Sequence, residues 1–296
     1  MFSACRAPID MPVLDAGEME SLRGWIGRSS EAEDLVTPRL VSGFRATFAP
    51  CLAPSGKDEA PLGLHWCLAP DAEPMAGLGP DGHAAKGSLL PPVSLPRRMW
   101  AGGELELHAP LSLGDKVLRR STIADIAAKQ GRSGPLCFVT LRNEFSTARG
   151  LALSERHDIV YRGAPDPGST RAPAARSEQP RAERSWRVPA SPVLLFRYSA
   201  LTFNGHRIHY DEPYATGTEG YPGLVVHGPL QATLLLNLVA TAGATMPFRF
   251  RYRALSALIA GSAFDIQARR GQGSIEGWTQ NAGGVTCMEG MATSLA

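Results

Sequence analysis

The sequence predicts an α+β protein built from two similar halves, each an antiparallel sheet packed around a helix. In the second half, a long apolar helix precedes four segments with the alternating pattern of strands. The first half repeats this order, with helical segments followed by strands. Between them, residues 163–184 contain four prolines and no apolar periodicity, which is typical of an exposed linker. These observations indicate an internal pseudo-dimer.

Composition excludes several classes of partner. The 296 residues are 44% hydrophobic and 20% charged, as expected for a globular protein with a full core. The 30 basic and 28 acidic residues give a formal net charge of +2. This balance gives no reason to expect nucleic acid or a membrane as a partner.

Cysteine usage and the N-terminus favour a cytoplasmic protein. None of the five cysteines forms a CxxC pair, so neither a disulfide framework nor a zinc site is expected. The first fifteen residues have no apolar core of signal-peptide length, and Asp10 interrupts them. No cofactor is expected.

One uncharged stretch, residues 224–248, imitates a membrane span. Gly228 and Pro229 interrupt it near its start, and Pro247 lies near its end. The helix between them holds about 14 residues, or roughly 21 Å at 1.5 Å per residue, which is short of the ~30 Å hydrocarbon layer. A buried helix in a soluble protein is therefore the better interpretation.

In the first half, we expect helices at residues 16–28 and from Thr37, where threonine can cap and Pro38 suits the first turn. A loop rich in Gly and Pro follows at residues 70–96, and loops of this length often carry function. Alternating patterns then predict strands at residues 104–107, 117–127, 136–146 and 151–161.

In the second half, we expect a strand at residues 193–201, a polar loop and the buried helix at 229–242. Strands should follow at residues 248–255, 263–269, 274–280 and 284–292. The predicted domains are residues 1–162, which are non-catalytic, the linker at 163–184, and a catalytic half at 185–296.

Residues 197–230 concentrate histidines, carboxylates, glycines and tyrosines before the buried helix. The segments 204–211 (NGHRIHYD), 213–215 (PYA) and 223–228 (GLVVHG), with 95–103 (LPRRMWAGG) in the first half, resemble the MaoC-type hydratase/dehydratase family. The resemblance covers most of the chain and implies a double hot-dog fold. It is closest to the subgroup of mesaconyl-C4-CoA hydratase, itaconyl-CoA hydratase and the type 2 hydroxyacyl-thioester dehydratases. It implies reversible hydration of an enoyl-CoA, with a short branched dicarboxylic acyl group.

The resemblance places His209 on the family's catalytic histidine. Asn204 stands where many members have a catalytic Asp, and an amide can orient a water without exchanging its proton. His206 and Arg207 replace an Asn-Pro pair, so we expect one of them to meet a substrate carboxylate. Tyr198, from the same segment, is a further candidate for substrate binding.

Elementary chemistry agrees with these roles. Water addition needs a base, a stabiliser for charge on the thioester oxygen, and a proton for C2. A neutral His209 can supply the first and last, with an acid limb near pH ~6.5 unless burial shifts it. The N–H of Gly228 at the helix start suits the oxygen, since Pro229 has no N–H. His227, beside it, is a candidate for substrate binding.

Several alternatives stay open. Asn204 before Gly205 also suits an ordinary turn, and Asp211 suits a local hydrogen bond or a helix start. His206 and His209 have the spacing of a metal pair, but no further ligands support one, so no metal is expected.

Rival functions are 3-hydroxyacyl carrier-protein dehydration and thioester binding without turnover. Loss of the conjugated enoyl-thioester absorbance distinguishes an enzyme from a binder. The expected partners are an acyl-CoA thioester and a second copy of the chain in a homodimer.

Overall fold

The computed structural model describes residues 14–131, 134–163 and 178–295. Its main feature is an antiparallel sheet of ten strands. They are β1 (Ser29–Leu35), β2 (Arg97–Leu107), β3 (Lys116–Gly131), β4 (Gly134–Thr147), β5 (Gly150–Arg162), β6 (Arg184–Pro189), β7 (Phe248–Ala254), β8 (Ala263–Arg270), β9 (Ser274–Gln280) and β10 (Thr286–Ser294). Their order in the sheet is β1-β3-β4-β5-β2-β7-β10-β9-β8-β6.

This order is the same in the two halves when it is read from the outer edges inward. In the first half the order is β1-β3-β4-β5-β2, and in the second half it is β6-β8-β9-β10-β7. The second strand of each half, β2 and β7, therefore meet in the middle of the sheet. Gly103 of β2 pairs with Tyr252 of β7 at this seam. The predicted duplication therefore appears as one continuous sheet, joined edge to edge, and two edges that would otherwise be unpaired are removed.

The helix α5 (Gly228–Thr241) packs on the inner face of the second half, against β8, β9 and β10. Residues 230–239 are all buried, as the apolar run predicts. The polar side chain of Asn237 faces the first half: it donates to Leu62 O at 2.9 Å and accepts from Ala53 N at 3.0 Å. It thus satisfies backbone groups of an irregular segment that would be costly to bury unpaired.

The first half has shorter helices. Between β1 and β2 lie α2 (Pro38–Phe48), two short 3-10 turns and irregular chain. Near the N-terminus, α1 (Ala16–Arg23) buries Met19 and Leu22 against the inner face of β3 in a second hydrophobic core. Residues 49–96 contain many Gly and Pro and no long apolar run, which explains why no counterpart of α5 forms there.

The predicted strand at residues 193–201 is wrong, because this segment is the helix α3 (Pro192–Thr202). Ser191 caps it by accepting from Leu194 N at 3.2 Å, with Pro192 in the first turn. This is the same signal that correctly predicted α2 after Thr37. The two helices occupy equivalent places in the repeat and pack against each other.

Other boundaries differ at the edges of the sheet. The strands β1 and β6 were not predicted, and β2 begins seven residues earlier than expected. Most of the predicted linker, residues 163–184, lies outside the described residues, so the domain division stays a prediction. In the described part of the chain, none of the helices has both the length and the apolar character needed to cross a membrane.

Candidate active site

Four histidine rings lie in a row next to the start of α5. The ring centroids of His83 and His206 are 4.0 Å apart, those of His206 and His209 5.3 Å, and those of His209 and His227 3.5 Å. We call these four residues the histidine row. It runs from His83, whose side chain is 25% exposed, to His227, which is fully buried.

His209 ends a 3-10 turn, Arg207–His209, and is 7% exposed. Its Nδ1 lies 2.7 Å from the carbonyl oxygen of Val225. Because a carbonyl only accepts, Nδ1 carries the hydrogen in the neutral ring and Nε2 keeps a basic lone pair. Burial lowers the pKa of His209 to about 3, against the opposing effect of the Val225 hydrogen bond. The ring is therefore neutral near pH 7.

His227 immediately precedes α5, and its ring stacks on that of His209. Its Nε2 lies 2.9 Å from Ser199 Oγ, while its buried Nδ1 has no hydrogen-bond partner among the described residues. Burial, with smaller contributions from His209 and His206, holds the pKa of His227 well below its usual value. The buried Tyr198 packs edge-on against the same ring. Both predicted residues thus lie at the interior end of the row.

Gly228 is the first residue of α5, directly after His227. Its N–H meets no acceptor among the described residues, as is usual for the first turn of a helix. A Cβ at this position would lie 2.3 Å from Cε3 of Trp100, on β2. The two sequence motifs, one from each half, therefore meet at the predicted oxyanion position.

Asn204 has the role of an ordinary turn residue, the alternative that the sequence left open: its Oδ1 accepts from His206 N at 2.9 Å.

The side chain of Arg207 is held by groups of the protein itself. Its Nη2 and Nε donate to Asp211 at 2.7 and 2.9 Å, and its Nη1 donates to Pro80 O. Its guanidinium also lies over the ring of Tyr214. Asp211 caps the next helix, α4 (Glu212–Gly217), as its local alternative predicted. These contacts leave Arg207 poorly placed to meet a substrate carboxylate.

Asp81 and His83 were missed by the sequence analysis. Asp81 Oδ2 lies 2.9 Å from Nδ1 of His83, and the backbone oxygen of Asp81 accepts from Arg207 N at 2.9 Å. Gly82 packs against the oxygen of Gly205 so closely that a Cβ would clash. The only signal in the sequence was the unusual length of the Gly/Pro-rich loop, which contacts the segment that carries the predicted catalytic residues.

Two further features bear on what the site can hold. Asp81, His83 and His206 each offer a ligand atom within 4.8 Å of the others, so they form the candidate metal group of the described residues. The charge of Arg98, which acts on all three, disfavours a cation there.

A groove of about 920 Å³ lies at the seam between the halves, but no member of the histidine row lines it.

Comparisons with known proteins identify relatives of this chain. The family model for hydroxyacyl-thioester dehydratase type 2 matches residues 63–260. Mesaconyl-C4-CoA hydratase of Chloroflexus aurantiacus is 39% identical over 269 residues, which cover 89% of this chain and 94% of that protein.

Solved structures support the fold. The crystal structure of HtdX from Mycobacterium tuberculosis has a TM-score of 0.67 at 17% identity, covering 90% of this chain and 99% of that one. A second protein of that organism, described as a double hot dog, has a TM-score of 0.52 at 14% identity, covering 93% and 97%.

The duplicated sheet around α5 defines a double hot-dog protein of the α+β class, as predicted. Together with the matched model, the identity to a curated hydratase defines the family. The chain belongs to the type 2 hydroxyacyl-thioester dehydratase family, within the MaoC-like hydratases and dehydratases, and is a lyase of that kind.

Proposed function

We propose that this chain reversibly adds water to an enoyl-CoA, and that the acyl group is short, branched and dicarboxylic, such as mesaconyl-C4-CoA or itaconyl-CoA. The 39% identity to a mesaconyl-C4-CoA hydratase supports the substrate class. The observation that carries the reaction is His209, whose hydrogen bond to Val225 leaves Nε2 as a free base beside the start of α5.

In the proposed reaction, Nε2 of His209 removes a proton from water while the water oxygen bonds to C3. The π electrons of the C2–C3 bond move toward the thioester oxygen, where the N–H of Gly228 stabilises the negative charge. The imidazolium then returns the proton to C2, which restores neutral His209. Dehydration runs the same steps in reverse.

The surroundings of His209 suit this cycle. Its neighbour His227 has a pKa held well below the usual value by burial, so it stays neutral and does not repel the transient imidazolium. A buried, water-poor site also strengthens the interaction between an N–H dipole and an oxyanion.

The test is the His209→Ala variant, followed by loss of the ultraviolet absorbance of the conjugated thioester. General-base catalysis contributes roughly 10²–10⁴-fold, so kcat should fall at least a hundredfold while binding of CoA esters persists. His108, an exposed histidine of the first half, provides the matched control as His108→Ala. Near-normal turnover by His209→Ala would remove the basis of the proposal.

A second candidate is dehydration of a 3-hydroxyacyl group on a carrier protein, favoured by the name of the matched family. Parallel assays with free CoA esters and with carrier-protein thioesters separate the two. Turnover of the CoA esters supports the first proposal. Binding of either thioester with unchanged absorbance would instead indicate a binding protein.

We also propose a cytoplasmic location and a homodimer. Four cysteines in the described part of the chain are unpaired, as a reducing compartment favours. Val193, Phe196 and Phe203, on or next to α3, are each more than 60% exposed, and such apolar surface favours association. Light scattering in solution measures the oligomeric state directly.

A further inference from the structure

Arg98 lies on β2, in the part of the sheet that belongs to the first half. In the register of β2 and β5 it stands opposite Tyr161, whose side chain is fully buried in the first-half core. Cross-strand partners point to the same face, so Arg98 points inward. Its charge lowers the pKa of both His83 and His206, after the larger effect of burial.

The guanidinium of Arg98 has no ion pair within 4.0 Å among the described residues. Its neighbour on β2, Arg97, pairs with Glu219 at 2.6 Å and lies near the Tyr221 ring. A half-buried arginine without a carboxylate partner is uncommon, because removing the charge from water is costly unless it is compensated.

The other charged groups near Arg98 are already held. Lys86 donates to the backbone oxygens of Val93 and Leu95, each at 2.7 Å. Asp81 is bound to both Nδ1 and the backbone N–H of His83. Glu219, which also acts on His83, is paired with Arg97. Arg98, whose charge acts on His83 and His206, is therefore the charged group here whose side chain is held neither by an ion pair nor by a backbone oxygen among the described residues.

The distance along β2 between Arg98 and Trp100 suits the length of a short dicarboxylate. Trp100, which packs on Gly228, lies two residues from Arg98 on the same face, or about 6.7 Å along a strand. In a four-carbon dicarboxylic thioester the two carboxyl carbons are roughly 4 Å apart by bond lengths. When the N–H of Gly228 binds the thioester oxygen, the free carboxylate therefore lies within reach of the flexible side chain of Arg98.

We infer that Arg98, together with His83 and His206, binds the free carboxylate of a dicarboxylic acyl thioester. The inference rests on the proposed hydration and names the residues that select its substrate. Arg98 supplies the permanent charge, Asp81 orients His83, and Arg207, which is paired with Asp211, takes no part.

The first experiment compares a carboxylate substrate, mesaconyl-C4-CoA, with crotonyl-CoA, which has a methyl group in place of the carboxylate and lacks the branch methyl group on C3. A hydrogen bond to a charged group is worth roughly 1.5–3 kcal/mol, or about 10–150-fold. Arg98→Met should lower kcat/KM for mesaconyl-C4-CoA at least tenfold and change that for crotonyl-CoA by less than about threefold. Arg253→Met, at an exposed arginine of β7, is the matched control, and Arg98→Lys should recover part of the loss.

The second experiment needs no variant, so a failure of Arg98→Met to fold leaves the inference testable. Succinyl-CoA and butyryl-CoA are saturated and cannot be hydrated, and they differ in the carboxylate. Calorimetric titration of the wild-type protein should show at least tenfold tighter binding of succinyl-CoA than of butyryl-CoA.

The outcomes distinguish a failure of this inference from a failure of the proposed function on which it rests. Equal losses for both substrates in Arg98→Met, or equal affinity of the wild-type protein for the two saturated esters, would overturn the carboxylate site while leaving hydration intact. Wild-type protein that hydrates neither enoyl-CoA would instead overturn the proposed function.

Discussion

Asn204 departs from the motif of the resembled family, and the structure gives it a local role. Its Oδ1 accepts from His206 N and so fixes the turn that carries the histidines. The remaining Nδ2 is the group that can still orient a water. A carboxylate at this position would keep the acceptor and add a proton-exchanging group, whereas alanine would lose the turn contact.

We therefore expect Asn204→Asp to fold normally, to retain or raise kcat/KM, and to alter its pH dependence. Asn204→Ala should lose less activity than His209→Ala, because it removes positioning alone. Measuring kcat/KM across pH for the three variants checks this. If Asn204→Asp were as inactive as His209→Ala, the amide would be essential to the chemistry itself.

The burial of His209 also changes the pH dependence expected for the rate of the wild-type enzyme. An unperturbed histidine would give an acid limb near pH ~6.5, but burial lowers the pKa of His209 to about 3. The fraction of basic His209 is then constant across the neutral range. This burial could not be predicted from the sequence, because His209 lies in a polar loop. Its exposure of only 7% arises from packing against Val225 and His227.

At the level of elements, prediction succeeded where local signals were long or strong. The helix α5 and the strands β3, β4, β5, β7, β8, β9 and β10 have clear apolar patterns, and each was found within a few residues. The helix α3 was mistaken for a strand because its run is short and apolar, although Ser191-Pro192 is a helix-start signal. The edge strand β1 is largely polar and is defined by backbone pairing to β3.

The contribution of the first half to the site could not be predicted. His83 reaches the row through contacts across more than a hundred residues, such as Arg207 N to Asp81 O. Local propensity and periodicity carry no information about such contacts. His206, His209 and Gly228, by contrast, lie within one short segment, so the motif alone brought them together.

The start of α5 provides a test at this scale. A Cβ at Gly228 would meet the Trp100 ring at 2.3 Å, so Gly228→Ala must displace either the ring or the helix start. We expect kcat/KM to fall at least tenfold, because catalytic geometry tolerates displacements of about 1 Å poorly. Gly217→Ala, where nothing lies within 4 Å of the added atom, should leave activity unchanged. Steady-state kinetics of both variants measures the change in kcat/KM, and thermal unfolding shows whether either variant has lost stability.

Across the whole molecule, a buried carboxylate ties the two halves together. Glu155 of β5 accepts from Tyr252 of β7 at 3.0 Å, and also from Trp66 and Asn143. Burial alone would raise the pKa of Glu155, but His157, His65 and the hydrogen bonds from Trp66 and Asn143 lower it overall. The charge is thus compensated from both halves, and the seam is held by more than strand pairing.

The buried histidines make the stability of the fold depend on pH. Burial lowers the pKa of His65 to about 4 and that of His209 to about 3, and those of His83, His157, His206 and His227 are lowered too. In the unfolded chain these groups titrate near pH ~6.5. Below that pH the unfolded state binds protons that the folded state does not, so the free energy of unfolding falls as pH falls.

Each such histidine should cost about 1.4 kcal/mol per pH unit between its unfolded and folded pKa values. Stability should therefore be constant from about pH 8 to 7 and decline steeply from about pH 6.5 to 5, before the unfolded-state carboxylates titrate near pH ~4. Urea unfolding at several pH values measures this. His65→Gln, away from the histidine row, should reduce the slope by about 1.4 kcal/mol per pH unit. A free energy of unfolding that does not change between pH ~7 and ~5 would show that the buried histidines take up protons without unfolding the chain.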